Sequence, residues 1–127
     1  MLLYEAIILF ISHYVGDFLL QRRKVALSKS KNMACLTEHV AIIFIVTTAA
    51  MFIFGKSLPL TIAAAAMYSF LHGVQDKIVW RGFNDMVIDN EWARNDTEFD
   101  GWFFRFLGLD QMLHMIILFA ISFIFLT

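Results

Sequence analysis

Residues 107–126 read LGLDQMLHMIILFAISFIFL, and this stretch decides the fold. From Met115 to Leu126 it contains no charge, and its full length matches the ~20 residues an α-helix needs to cross the hydrocarbon of a bilayer. Its first turns nevertheless carry Asp110 and His114, which are four apart and so share one helical face. The stretch therefore predicts a helix made for lipid along most of its length and polar at one end.

Working outward, three more apolar runs have a comparable length: residues 2–21, 33–54 and 58–80. The second is closed by Gly55, and Pro59 sits at the first turn of the third, where a missing N–H is harmless. Across 127 residues, 60% of side chains are hydrophobic and 17% charged, against about a quarter charged in soluble domains. A soluble domain this small has too little interior to hide that much apolar surface. The expectation is an all-α membrane protein forming a single integral-membrane domain over residues 1–127. It would be a four-transmembrane-helix up-down bundle, with residues 81–106 as an interfacial segment between the third and fourth helices.

The N-terminus lacks the basic region and cleavage site of a signal peptide, so the first run is expected to stay as a helix. Cys35 is the sole cysteine, which excludes an intrachain disulfide and a cysteine zinc motif. A net charge of −1 gives no cationic excess for phosphate backbones, so no nucleic-acid partner is expected.

The connections set the orientation. Residues 22–32, RRKVALSKSKN, hold five basic side chains and no acid, while residues 81–106 mix both signs with Phe83, Trp92, Phe99, Trp102, Phe103, Phe104 and Phe106. Of the ten Lys and Arg residues, all but Lys56 lie in these two connections or beside them. Four spans put both connections on one side, and the positive-inside rule makes that side cytoplasmic, with both termini outside.

Each of the four histidines falls inside a predicted span. His13 and Asp17 are four apart, as are His72 and Asp76; His39 stands near the start of the second run beside Glu38. In up-down topology His13, Asp17, His39, His72, Asp76, Asp110 and His114 all reach one depth, near the cytoplasmic end. An Asp at the centre of a membrane helix costs about 2.5–3.5 kcal/mol, so these groups must face the bundle interior. Three readings follow: a structural His/Asp network, a proton or metal conduit, and a metal centre. Imidazole with carboxylate suits zinc foremost, with manganese or iron as alternatives, and seven donors suffice for one or two ions. Such a centre would act as a metal-dependent hydrolase of a lipid-linked or nucleotide phosphoester. Glu38 would be its general base, and Gln21, Arg22 and Gln111 would hold substrate. The competing reading is a non-enzymatic membrane protein, either a conduit or a phage-type protein that interacts with the host membrane. Four short helices around a polar pocket also make a homo-oligomer plausible.

The strings HYVGDFLLQ (13–21), LTEHVAII (36–43), FLHGVQD (70–76) and LDQMLH (109–114) resemble a family of small bacterial and phage membrane proteins known as domain of unknown function 3307. The resemblance follows the pattern H-x3-D-F-x2-Q, a lone His, H-x3-D and D-Q-x2-H, and implies a bacterial inner-membrane location. HYVGD with Gln21 is also similar to the H-x-x-G-D-x-x-Q block of zinc-dependent phospholipase C and single-strand nucleases. That likeness implies metal ligation by His13 and Asp17. Here Arg22 follows Gln21, without the trailing Pro-x-His, and no N-terminal Trp is present. A likeness to inner-membrane metal-dependent hydrolases points the same way.

Overall fold

The computed structural model describes residues 2–126, apart from the side chain of Leu126. Five α-helices follow in order: α1 (Leu3–Tyr14), α2 (Arg23–Ser28), α3 (Met33–Phe52), α4 (Leu58–Asp89) and α5 (Thr97–Leu126). A π-helical turn, Val15–Leu19, continues α1 directly, closed by a Leu20 N–H donating to the Val15 carbonyl at 2.9 Å. No strand occurs among the described residues.

Local chemistry sets the ends of these helices. The Asn32 side chain accepts from the Ala34 and Cys35 N–H groups at 2.9 and 3.2 Å, satisfying donors that the first turn of α3 leaves free. Gly55, at φ 68°, supplies the left-handed conformation that turns the chain from α3 into α4. α4 is the central element, packed against both α3 and α5, while α1 leans on α3 and touches α5 more sparsely.

The interior has two halves. Leu9, Ile43, Met51, Ala64, Ala65, Tyr68, Leu118 and Ile121 form an apolar core towards one end. The polar residues fill the other. Outside, the helices are apolar: Phe10, Ile45, Phe70, Phe123 and Ile124 are each 58–73% exposed. So many exposed large apolar groups exceed the usual patch on a soluble monomer and suit a hydrocarbon solvent.

Two differences from the sequence expectation stand out. Two helices, Met33–Phe52 and Thr97–Phe125, are long and apolar enough to cross a membrane, where four spans were expected. α1 has only 12 residues before the π turn, and the middle of α4 carries His72, Gln75, Asp76 and Lys77, which dilute its apolar run. The second difference concerns residues 81–106. The helices on either side of the expected interfacial segment extend into it, with α4 running on to Asp89 and α5 beginning at Thr97, which leaves a short connection over 90–96. The aromatic side chains that gave this stretch its interfacial look are partly a zipper between the two helices. Phe83 meets Phe99, Phe103 and Phe106 at ring distances of 5.4, 5.9 and 5.3 Å.

Candidate metal centre

Each polar residue is placed by a backbone feature. His13 stands in the last turn of α1, and Asp17 lies within the π turn, a wide turn often found at functional sites. His39 comes from α3, His72 and Asp76 from α4, and Asp110 and His114 from α5. Two glycines let α3 approach its neighbours. A Cβ on Gly16 would stand 2.8 Å from Ile43 Cδ1, and one on Gly73 only 2.5 Å from Val40 Cγ2. They adjoin Asp17 and His72, so the close packing that needs them also brings His39 onto those two residues.

All seven expected residues are buried at 0–5% exposure and converge. The tightest group is Asp17, His39, His72 and Asp76. His39 Nε2 lies 2.9 Å from His72 Nε2, 3.0 Å from Asp76 Oδ2 and 3.1 Å from Asp17 Oδ1. His72 Nε2 lies 3.3 and 3.7 Å from the same two oxygens. Donors ~2.0–2.1 Å from a tetrahedral ion stand about 3.3–3.4 Å from one another, and these five separations bracket that value. His13, Asp17 and His114 form a second donor group, and Asp76, Asp110 and His114 a third. Asp17, Asp76 and His114 are thus shared between groups, as bridging or adjacent sites would require.

A hydrogen-bond chain sets the proton positions. Asp17 and Asp110, as carboxylates, accept from Gln111 Nε2 at 2.8 and 3.4 Å. The Gln111 carbonyl oxygen therefore faces His13 Nε2, which must donate to it at 2.9 Å. The other nitrogen of a neutral His13 accepts from the Tyr68 hydroxyl at 3.0 Å. With that proton committed, His72 Nδ1 donates to the Tyr68 oxygen at 3.2 Å, leaving the His72 Nε2 lone pair aimed at the inner group. This is the outer partner that orients a metal-binding imidazole. His13, with both nitrogens engaged, sits one step outside the inner four.

Lys29 completes the arrangement, although it was not among the expected site residues. It is 6% exposed, with Nζ at 2.8 Å from Asp76 Oδ1 and 3.4 Å from Asp17 Oδ1. Burial acts to lower the pKa of this ammonium, but Asp76 and Asp17 outweigh it and hold the group above its ordinary 10.5. The signal lay in spacing: Val25 and Lys29 are four apart, so the face of α2 that buries Val25 also points Lys29 inward. Tyr68 and Gln75 were missed as well, though both lie on the α4 face that carries His72 and Asp76. Gln75 donates to the Asp110 carbonyl at 2.8 Å, and the Trp80 indole N–H donates to Asp110 Oδ2 at 3.2 Å.

With neutral imidazoles, three buried carboxylates face one ammonium, a net charge of −2. Both Asp76 oxygens and both His114 nitrogens lack a partner in hydrogen-bonding geometry, although Asp76 lies within ion-pair distance of Lys29 and His39. Uncompensated buried charge is costly, and a divalent cation would bring this balance to zero.

The same blocks that bring these side chains together are spread over a family profile matching residues 6–127, described as protein of unknown function. The chain belongs to the DUF3307 family. No curated protein and no solved structure matches it. In this DUF3307 protein the remaining expected site residues divide. Gln21 reaches the cluster, its amide lying 2.9 Å from His39 Nδ1; ligation through His39 Nε2 would need that amide turned so that its oxygen accepts from Nδ1–H, and Gln111 is part of the hydrogen-bond chain. Glu38 and Arg22 are not brought there. The Arg22 Nε–H donates to Glu38 Oε1 at 2.8 Å at the rim, and neighbouring residues on a helix point about 100° apart, so Glu38 faces away from the His39 side.

Proposed function

We propose that this protein is an integral-membrane, metal-dependent hydrolase that cleaves a phosphoester at the cytoplasmic face. The observation that carries the reading is a buried, net-negative set of imidazole and carboxylate donors spaced like the ligands of a tetrahedral ion. Zinc suits the donors foremost, with one or two ions, and manganese or iron as alternatives. When bound, such an ion supplies Lewis acidity and makes water nucleophilic near neutral pH. The chain supplies the rest. Tyr68 fixes the His72 ring, Gln21 and Gln111 steady His39 and Asp17, and Lys29 offers an ammonium to an anionic substrate.

In this reading all four long helical segments lie in the bilayer of a bacterial inner membrane. α1 spans with the π turn, and the outer surfaces of α1 and α4 share the apolar character of α3 and α5. The basic connections then lie in the cytoplasm and both termini outside. The apolar core seals the far end of the interior, which supports a blind pocket over a conduit.

The test is hydrolysis of a chromogenic phosphodiester, phospholipids and nucleotides by detergent-purified, zinc-loaded protein. Turnover should disappear with a chelator, return with metal, and fall about 100-fold or more in Asp76→Ala. Metal-loaded protein with no turnover of any of these would overturn the proposal. The continuous chain from His72 through Tyr68, His13 and Gln111 to Asp17 favours, as the second reading, a structural polar network with Lys29 as its built-in counterion.

A further inference from the structure

Beside the centre lie two adjoining cavities of different character. The inner one, about 320 Å³, has a polar floor of Asp17, Gln21, Lys29, Asp110 and Gln111. Its walls are apolar, with Phe18 from the π turn facing Phe103 and Leu107 from α5. The cavity lies between the π turn, α2 and α5, and its wall residue Phe18 is 45% exposed.

The outer cavity, about 480 Å³, shares Ala26, Leu27 and Trp80 with the inner one, so the two adjoin across these side chains. It extends between the projecting ends of α4 and α5, beside the basic connection. Lys31 and Arg94 line it with no carboxylate among its lining residues, and Ser30 and Asn84 add hydrogen-bonding groups. Trp92, Phe99 and Phe83 give it flat aromatic walls. Two cations without an acid select an anionic group, and aromatic faces stack on planar rings. Trp80 stands at the junction, its indole N–H tied to Asp110 Oδ2.

Taken together, the cavities have the size of a small-molecule site and change from apolar to cationic and aromatic along their length. We propose that they bind a lipid-linked diphosphate whose headgroup carries a ring. The tail lies in the inner cavity along Phe18 and Leu107, the lipid-proximal phosphate beside Lys29, and the second phosphate and the ring between Lys31, Arg94 and Trp92. This names the substrate class of the proposed hydrolase and rests on that reading for turnover and for the bound ion that offsets Asp17 and Asp110 beside the first phosphate, while binding is measured separately from turnover.

The probes are a diacylglycerol joined through diphosphate to cytidine, phosphatidic acid, and soluble cytidine diphosphate. Binding is read by native mass spectrometry and tryptophan fluorescence of the full chain in detergent, with and without zinc. The liponucleotide should bind at least about tenfold tighter than either fragment, one such factor being worth ~1.4 kcal/mol. A Lys31→Gln, Arg94→Gln variant should lose that advantage and keep its affinity for phosphatidic acid. Phe18→Asp should weaken both lipids and leave cytidine diphosphate unaffected. Equal affinity for liponucleotide and phosphatidic acid, or no effect of the Lys31/Arg94 variant, would overturn the headgroup assignment. Cytidine diphosphate binding as tightly as the liponucleotide would overturn the amphiphile. Failure of turnover with this binding intact would count against the hydrolase reading alone.

Discussion

The two halves of the interior are equally buried and held by different physics. Around Leu9, Met51, Ala64 and Leu118, each 0% exposed, apolar side chains satisfy one another by contact alone. Around His39, His72, Asp76 and His114, also each 0% exposed, carboxylates and imidazoles crowd together with one ammonium and a few N–H and O–H donors among them. The first half is complete as it stands. The second has buried atoms without a hydrogen-bond partner and groups of donors that could hold a metal ion.

That contrast can be broken from either side. The largest effect is expected at Lys29. Lys29→Ala leaves Asp76 and Asp17 without their ammonium, and breaking a buried pair in this way costs about 3–5 kcal/mol. Denaturant unfolding of metal-free protein should show that loss, and added zinc should recover much of it. Met51→Ala in the apolar half should cost a comparable 2–5 kcal/mol through lost contacts and a cavity, and zinc should recover none of it. A zinc response of equal size in both variants would erase the distinction between the halves.

Smaller changes sharpen the picture. Tyr68→Phe keeps the ring's packing and removes the hydroxyl shared by His13 and His72. It should weaken metal binding about 10–100-fold, measured by competition with a chromophoric chelator. The smallest effect is that of pH on the Lys29 pair. Its pKa is raised on folding, so its contribution is fully present below the ordinary 10.5 and is lost as pH rises through the folded value. Urea midpoints of metal-free protein should therefore show no Lys29-dependent change between pH 7 and 9, and a Lys29-dependent decline only at stronger alkali.

The convergence of the seven His and Asp residues was legible in the sequence because a charged group in an apolar helix has few places to go. Helix period and alternating direction then fix its face and depth. Lys29 was not legible, since a lysine in RRKVALSKSKN reads as a solvated topological charge. Only the fold of α2, which buries Val25, turns it inward. Glu38 looked suited to catalysis beside His39, yet adjacency along a helix separates side chains, and Arg22 claims it at the rim. The π turn at Asp17 leaves no clear sequence mark, as VGDFL could equally continue an α-helix. In residues 81–106 mixed charge and aromatic content were legible, but the pairing of Phe83 with Phe99 and Phe106 across α4 and α5 was not, because composition does not show which rings meet.

The central claim is that a divalent ion completes the polar half. Elemental mass spectrometry of detergent-purified protein, prepared without chelators, tests it most directly beside a His72→Ala, Asp76→Ala variant. One to two equivalents of zinc, manganese or iron are expected in the parent protein, with loss of that metal in the variant. A folded parent protein that carries no metal and takes up none on zinc addition would contradict it.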